Sequence, residues 1–144
     1  DEVTELCRGV FVFPQLPVTD EEDTHFEHFF TWTEGRKQAD TFTDELALVL
    51  KQGVEVSVLS ACSHRGITNI IRAVQEYFPQ SSLKLVLGGF HIRNTEKEKF
   101  DVIARFLEAI CRNGWAFVIV RALINTHCFT NALPTVLFII IPVG

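Results

Sequence analysis

The amino-acid sequence predicts an α/β layered domain, and three observations carry that expectation. Short apolar runs bounded by Gly and Pro alternate with two longer segments of helical period. Their order is strand, helix, strand, helix, strand, the pattern of a sheet covered by crossover helices. The 144 residues are 47% hydrophobic and 22% charged, which excludes a disordered polymer. A chain of that length fits one domain and buries roughly two-thirds of its unfolded surface.

Residues 9–13 (Gly-Val-Phe-Val-Phe) read as a short strand stopped by Pro14 and Pro17. Residues 14–43 are polar, with an acidic run at 20–23, and read as a long loop serving as a lid or partner contact. Residues 45–50 and 54–59 are apolar runs joined by Lys51-Gln52-Gly53, which predicts a β-hairpin with Gly near the turn. Ile67, Ile70, Ile71, Val74 and Phe78 fall at helical spacing, and Pro79 ends that helix. Residues 83–87 predict a strand stopped by Gly88-Gly89. A second helix is expected over 95–112, capped by Asn94 or Thr95. Its apolar stripe is Phe100, Ile103, Phe106, Leu107 and Ile110, and Asn113-Gly114 stops it. Residues 115–120 and 136–141 complete the set as buried strands.

Charge and composition narrow the function classes. Thirteen Lys+Arg against 18 Asp+Glu give a net charge of −5, which argues against a nucleic-acid binder needing clustered cations. No apolar run reaches the ~18 residues of a membrane span. The longest, 133–143, is interrupted by Pro134 and Pro142. No signal-peptide pattern opens the chain. Cys7, Cys62, Cys111 and Cys128 show no CxxC spacing. They are expected to be free, buried thiols in a reducing, cytoplasmic setting rather than disulfides. The chain has no Met and starts Asp-Glu. It reads as a segment of a longer product, as a processed chain, or as one whose modified methionines are missing.

Three of five histidines follow predicted strands. His64 lies in Ser60-Ala61-Cys62-Ser63-His64-Arg65-Gly66, His91 in Gly88-Gly89-Phe90-His91, and His127 in Asn125-Thr126-His127-Cys128. Ligand crevices in α/β sheets open at the carboxyl ends of strands. If the three strands are parallel neighbours, three imidazoles meet at one edge, a donor set suited to transition metals. The bland alternative for each His is a hydrogen-bonded loop residue, and for Cys62 a small buried one. Gly66 and Gly88-Gly89 suit positive φ or a close backbone approach. The turn at 62–68 opens a helix, so its N–H groups offer an anion site to which Arg65 adds charge; an ordinary surface Arg is the alternative. His25-Phe26-Glu27-His28 has His-x-x-His spacing but no companion ligands.

Together these pieces are more specific than any alone. Residues 62–70 (CSHRGITNI), then Gly88-Gly89-Phe90-His91, then His127-Cys128 resemble metallo-β-lactamase-fold hydrolases. The nearest subgroup is similar to the dihydropterin-linked ribofuranosylaminobenzene phosphate synthase, with its CSHxGIxNI, GGFH and GHCTG motifs. Gly9-Val10-Phe11-Val12 and Asp44-Glu45-Leu46-Ala47-Leu48 also look like its strand and its DExAL segment.

The resemblance implies an αββα sandwich with one or two divalent transition metals, zinc first among them, at the sheet edge. Such a centre polarises substrate and lowers the pKa of bound water to roughly 7. By motif match, His64 and His127 are the metal-site residues. His91, Cys62, Ser63 and Arg65 are implied to face substrate or support the ligands, with a ligand role open for His91 and Cys62.

Departures from the family pattern set the function question. The family's HxHxDH motif lies in its N-terminal half, and this chain has no His-x-His. The resemblance thus maps onto the C-terminal half, and the chain alone is expected to turn over poorly. Residues 126–131 (THCFTN) differ from GHCTG, and no carboxylate is obviously placed to bridge two metals.

The first functional expectation is part of a metal-dependent hydrolase acting on an ester or phosphoester of a small molecule. Its missing half lies on the same product or a partner chain. The alternative is a degenerate non-catalytic domain that binds or interacts through its acidic 20–45 segment. Nucleic-acid and membrane partners are not expected, and a homo-oligomer stays open.

Overall fold

The computed structural model describes residues 2–92, 95–111 and 117–120. The expected strand at 136–141, the Asn113-Gly114 stop, Asn94 and the His127-Cys128 pair lie outside the described residues.

The described residues form a six-stranded sheet. Its strands are β1 (Thr4–Cys7), β2 (Val10–Phe13), β5 (Ala47–Gln52), β6 (Glu55–Ser60), β7 (Ser82–Gly88) and β8 (Phe117–Val120), in that spatial order. The first four are antiparallel neighbours, and β6, β7 and β8 run parallel. Helix α1 (Ile67–Tyr77) connects β6 to β7, and α2 (Lys97–Cys111) connects β7 to β8. Parallel pairing requires such crossovers, whereas the β5–β6 hairpin closes through Gly53-Val54 alone, with Gly53 at φ +60°.

Residues 14–43 are not one long loop. They hold a 3₁₀ turn (Glu21–Asp23) and a hairpin of β3 (Phe30–Thr33) and β4 (Arg36–Ala39). The hairpin turns on Glu34-Gly35, both at positive φ, as a two-residue hairpin turn of the primed type demands. Its strands are mostly exposed, so no apolar alternation announced them. β1 was likewise hidden, being a polar edge strand.

One face of the central strands β5, β6 and β7 is packed. Val49, Val58 and Val86 join Ile67, Ile70, Ile71 and Val74 of α1 and Ile103 and Leu107 of α2 in one core. Burial alternates strictly along β6, so one face of that strand is covered and the other only partly. In β7 both Leu83 and Val86 are buried although three apart. A register shift after Val56 passes over Lys84 and restores the alternation. The opposite face carries half-buried Val12, Leu48, Leu59, Leu85 and Leu87, with Leu50 40% exposed.

Helix α1 starts without a side-chain cap of its own; Gly66 stands at its N-cap with φ +95°. The cap comes from far away: Asp23 Oδ2 accepts the Thr68 N–H at 2.7 Å. Asn69 is the second tie. Its Oδ1 accepts from Thr19 N (3.0 Å), Thr19 Oγ1 (3.0 Å) and Asp20 N (2.8 Å), and its Nδ2 donates to Asp20 O (2.9 Å) and Arg65 O (2.7 Å). Asn69 is buried, so its truncation strands several polar backbone groups. Asn69→Ala is expected to cost about 3 kcal/mol, read from the midpoint of urea unfolding.

Among the described residues, no helix is long and apolar enough to cross a membrane.

Candidate metal centre

The parallel strands β6 and β7 end side by side, Ser60 opposite Gly88. The approach is closer than any side chain permits. A Cβ on Gly88 would sit 1.8 Å from the Ser60 carbonyl oxygen, and one on Gly89 would sit 2.7 Å from that of Ala61. Gly89 N–H donates to that same Ala61 carbonyl at 3.1 Å. The two glycines thus bring the chain after β6, with Cys62 and His64, against the chain after β7, with His91. His91 itself adopts φ +49°.

The turn after β6 is fixed at several points. Ser63 takes φ +58°, and its buried Oγ donates to Ser60 Oγ at 2.9 Å. Glu45 clasps the turn with both oxygens, accepting His64 N–H at 2.7 Å and Arg65 N–H at 2.8 Å. The Arg65 guanidinium donates to the Leu16 carbonyl at 2.6 Å and the Thr41 carbonyl at 2.7 Å. The N–H groups that marked this turn as an anion site are therefore held by carboxylates of the chain itself, Glu45 and Asp23. Asp23 accommodates this because Gly66 has no side chain; a Cβ there would meet Asp23 O and Oδ2 at 2.9 Å.

His64 is buried and oriented from three sides. Its ring stacks on Phe42 at 3.8 Å with 6° between planes, and Phe29 meets it edge-on at 4.7 Å. Its Nδ1 lies 3.2 Å from the His25 carbonyl, and His25 N–H donates to the His64 carbonyl at 2.7 Å. A carbonyl only accepts, so Nδ1 carries the hydrogen and Nε2 the lone pair. That is the arrangement a metal-binding imidazole needs.

The ring centroids of His64 and His91 are 4.1 Å apart. Donor atoms of Cys62, His64 and His91 all lie within 4.8 Å of one another, with Cys62 and His91 exposed and His64 buried. Partial burial pushes the His91 imidazole below its usual range, and the His64 and His25 rings push it the same way. Both effects favour the neutral ring, the form that donates to a metal. Behind this group, Asp23 is fully buried. Its Oδ1 faces His25 Nε2 at 3.7 Å, and neither atom has a hydrogen-bond partner among the described residues.

Cys62, His64 and His91 converge. Ser63 and Arg65 spend their described bonds on the turn and its neighbouring loops. His127 lies outside the described residues. The expectation of buried thiols is corrected, since Cys7 and Cys62 are free but exposed. Cys7 ends an edge strand, and Cys62 stands on the rim of the site. Residues missed in the sequence are Asp23, Phe29, Phe42 and the paired roles of His25 and Glu45. Glu45 had a signal in its DExAL segment, Asp23 lay in the acidic run, and His25 stood in the His-x-x-His spacing, whose first ring lies 6.1 Å from that of His91.

Comparison with known proteins bears on the fold. No family model matches the chain. It is similar to the 7,8-dihydropterin-6-methyl-4-(beta-D-ribofuranosyl)-aminobenzene-5'-phosphate synthase of Methanocaldococcus jannaschii, 25% identical over 128 residues. That match takes in 85% of this chain and 40% of the relative. The structure is similar to the crystal structure of a metal-dependent hydrolase of the beta-lactamase superfamily, with TM-score 0.76 and 25% identity. The likeness covers 88% of this chain and 47% of that one. The chain therefore has a metallo-β-lactamase-like α/β fold and spans less than half the length of both proteins.

Proposed function

We propose that this chain is part of a metal-dependent hydrolase that uses a metal-activated water on an ester or phosphoester of a small molecule. One observation carries the reading. Three side chains with metal-donor atoms gather within 4.8 Å at the carboxyl ends of adjacent parallel strands, where such folds keep their chemistry. The donors fit a divalent transition ion, with zinc favoured by the mix of imidazole and thiol. When bound, that ion supplies Lewis acidity and a water of lowered pKa. The chain's own residues present and orient. His64 offers Nε2, the His25 carbonyl fixes its tautomer, Glu45 holds its backbone, and Phe29 and Phe42 wall one side against water. His127 joins His64 on the strength of the motif resemblance. Free thiols suit a reducing, cytoplasmic location.

The remaining half of the architecture belongs to the same product or to a partner chain. The half-buried apolar strip on the sheet, from Val12 across Leu48 and Leu59 to Leu87, suits it as a packing surface. The complete gene product is expected to contain at least about one equivalent of a divalent transition metal by elemental analysis. A preparation without stoichiometric metal, unable to take one up, would sink the reading.

The hairpin of β3 and β4 favours a second one. Phe30 (54%) and Trp32 (72%) are exposed there, within the acidic 20–45 segment. Exposed aromatic side chains are frequent in contact surfaces. A binding module of this kind needs no metal, so the same elemental analysis decides between the two.

A further inference from the structure

We infer that Cys62 and His91 are direct donors to the metal alongside His64, so that this chain alone carries a three-donor centre with one thiolate. The inference rests on the hydrolase reading and goes beyond it. The motif resemblance points to His64 with His127, places Cys62 and His91 facing substrate or supporting the ligands, and leaves their ligation open.

Distance supports it first. A tetrahedral zinc site, with Zn–N near 2.0–2.1 Å and Zn–S near 2.3 Å, separates its donors by about 3.3–3.6 Å. The present set lies within 4.8 Å, so rotations of exposed Cys62 and His91 side chains by about 1 Å close it. His64, which is buried and stacked, is the fixed member.

Construction supports it second. The glycines at 88 and 89 bring His91 to this place at a cost in backbone freedom. Ser63 takes a positive φ, which places Cys62 and His64 on either side of it within reach of His91. Such strain persists only where surrounding structure holds it, here the Ser60 hydroxyl and the Glu45 carboxylate.

Chemistry supports it third. Two imidazoles and a thiolate form a borderline-to-soft set, which selects zinc, cobalt or ferrous iron over magnesium or calcium. These three donors leave one position of a tetrahedral ion for a further ligand, a water or another protein donor such as His127.

Cobalt(II) reads sulfur ligation directly. The metal-stripped complete protein, loaded with one equivalent of Co²⁺, should show a near-ultraviolet thiolate-to-cobalt charge-transfer band besides the visible bands of a tetrahedral ion. Cys62→Ser should abolish the charge-transfer band, and Cys7→Ser should leave it in place. His91→Ala should weaken Co²⁺ affinity at least about tenfold. Zn²⁺ should slow alkylation of Cys62, a readout independent of turnover. Stoichiometric Co²⁺ binding without a charge-transfer band, or with one that survives Cys62→Ser, overturns the inference and leaves the hydrolase reading standing. Failure to bind Co²⁺ or Zn²⁺ at all overturns both, and absent visible bands tell that result apart.

Discussion

Gly88→Ala is expected to cost about 3 kcal/mol or more and to lower the melting temperature by roughly 10 °C. The reason is a backbone clash with no flexible partner. The added Cβ would meet the Ser60 carbonyl oxygen at 1.8 Å and its carbon at 2.9 Å. Both belong to β6, whose place is held by pairing with β5 on one side and β7 on the other. Relief therefore requires the ends of two strands to part. Gly53→Ala is the control. It also has positive φ, at +60°, but nothing lies within 4 Å of its Cβ. It should lose only the left-handed penalty, about 1–2 kcal/mol. Scanning calorimetry of the two variants measures the difference. Equal losses would mean that the close approach of β6 and β7 contributes nothing. The parting should also reach the site, because Gly88 lies three residues before His91.

This close approach shows what the sequence made legible. Gly88-Gly89 after an apolar run marked a strand end and a tight contact, and both are present. The helices at 67–77 and 97–111 were readable because their apolar residues repeat at helical spacing on one face. The central strands were readable because they are buried. β1, β3 and β4 were not, since exposed strands need no apolar alternation and Glu34-Gly35 is a weak hairpin signal beside Asn-Gly. At the site, Cys62, His64 and His91 were visible as chemistry at strand ends. Their supports were not. Asp23 caps a helix 45 residues downstream, and Glu45 holds a turn 19 residues away. Long-range polar bonds have no period, so nothing local in the sequence announces them. The same bonds explain why the expected anion site is filled from within. The segment expected to be one long loop, a lid or partner contact, is tied to α1 by Asn69 and Asp23.

His64 is the member of the donor group whose loss should matter most for metal. Removal of an outer partner of a metal-binding His lowers affinity about 10–100-fold, so removal of the ligand itself should exceed ~100-fold. His64→Ala is an ambiguous way to ask. The ring is buried between Phe42 at 3.8 Å and Phe29 at 4.7 Å, and such pairs contribute about 0.5–1.5 kcal/mol each. The alanine variant should therefore lose both metal and about 1–3 kcal/mol of stability. His64→Phe separates the two. It keeps an aromatic ring in the stack and removes both nitrogens, losing only the bond to the His25 carbonyl, worth about 1 kcal/mol. Unfolding should then resemble the parent protein, while elemental analysis after dialysis shows no retained metal. A His64→Phe protein that keeps stoichiometric metal would show that His64 is a core ring and not a ligand. The stack on Phe42 alone would then account for its burial.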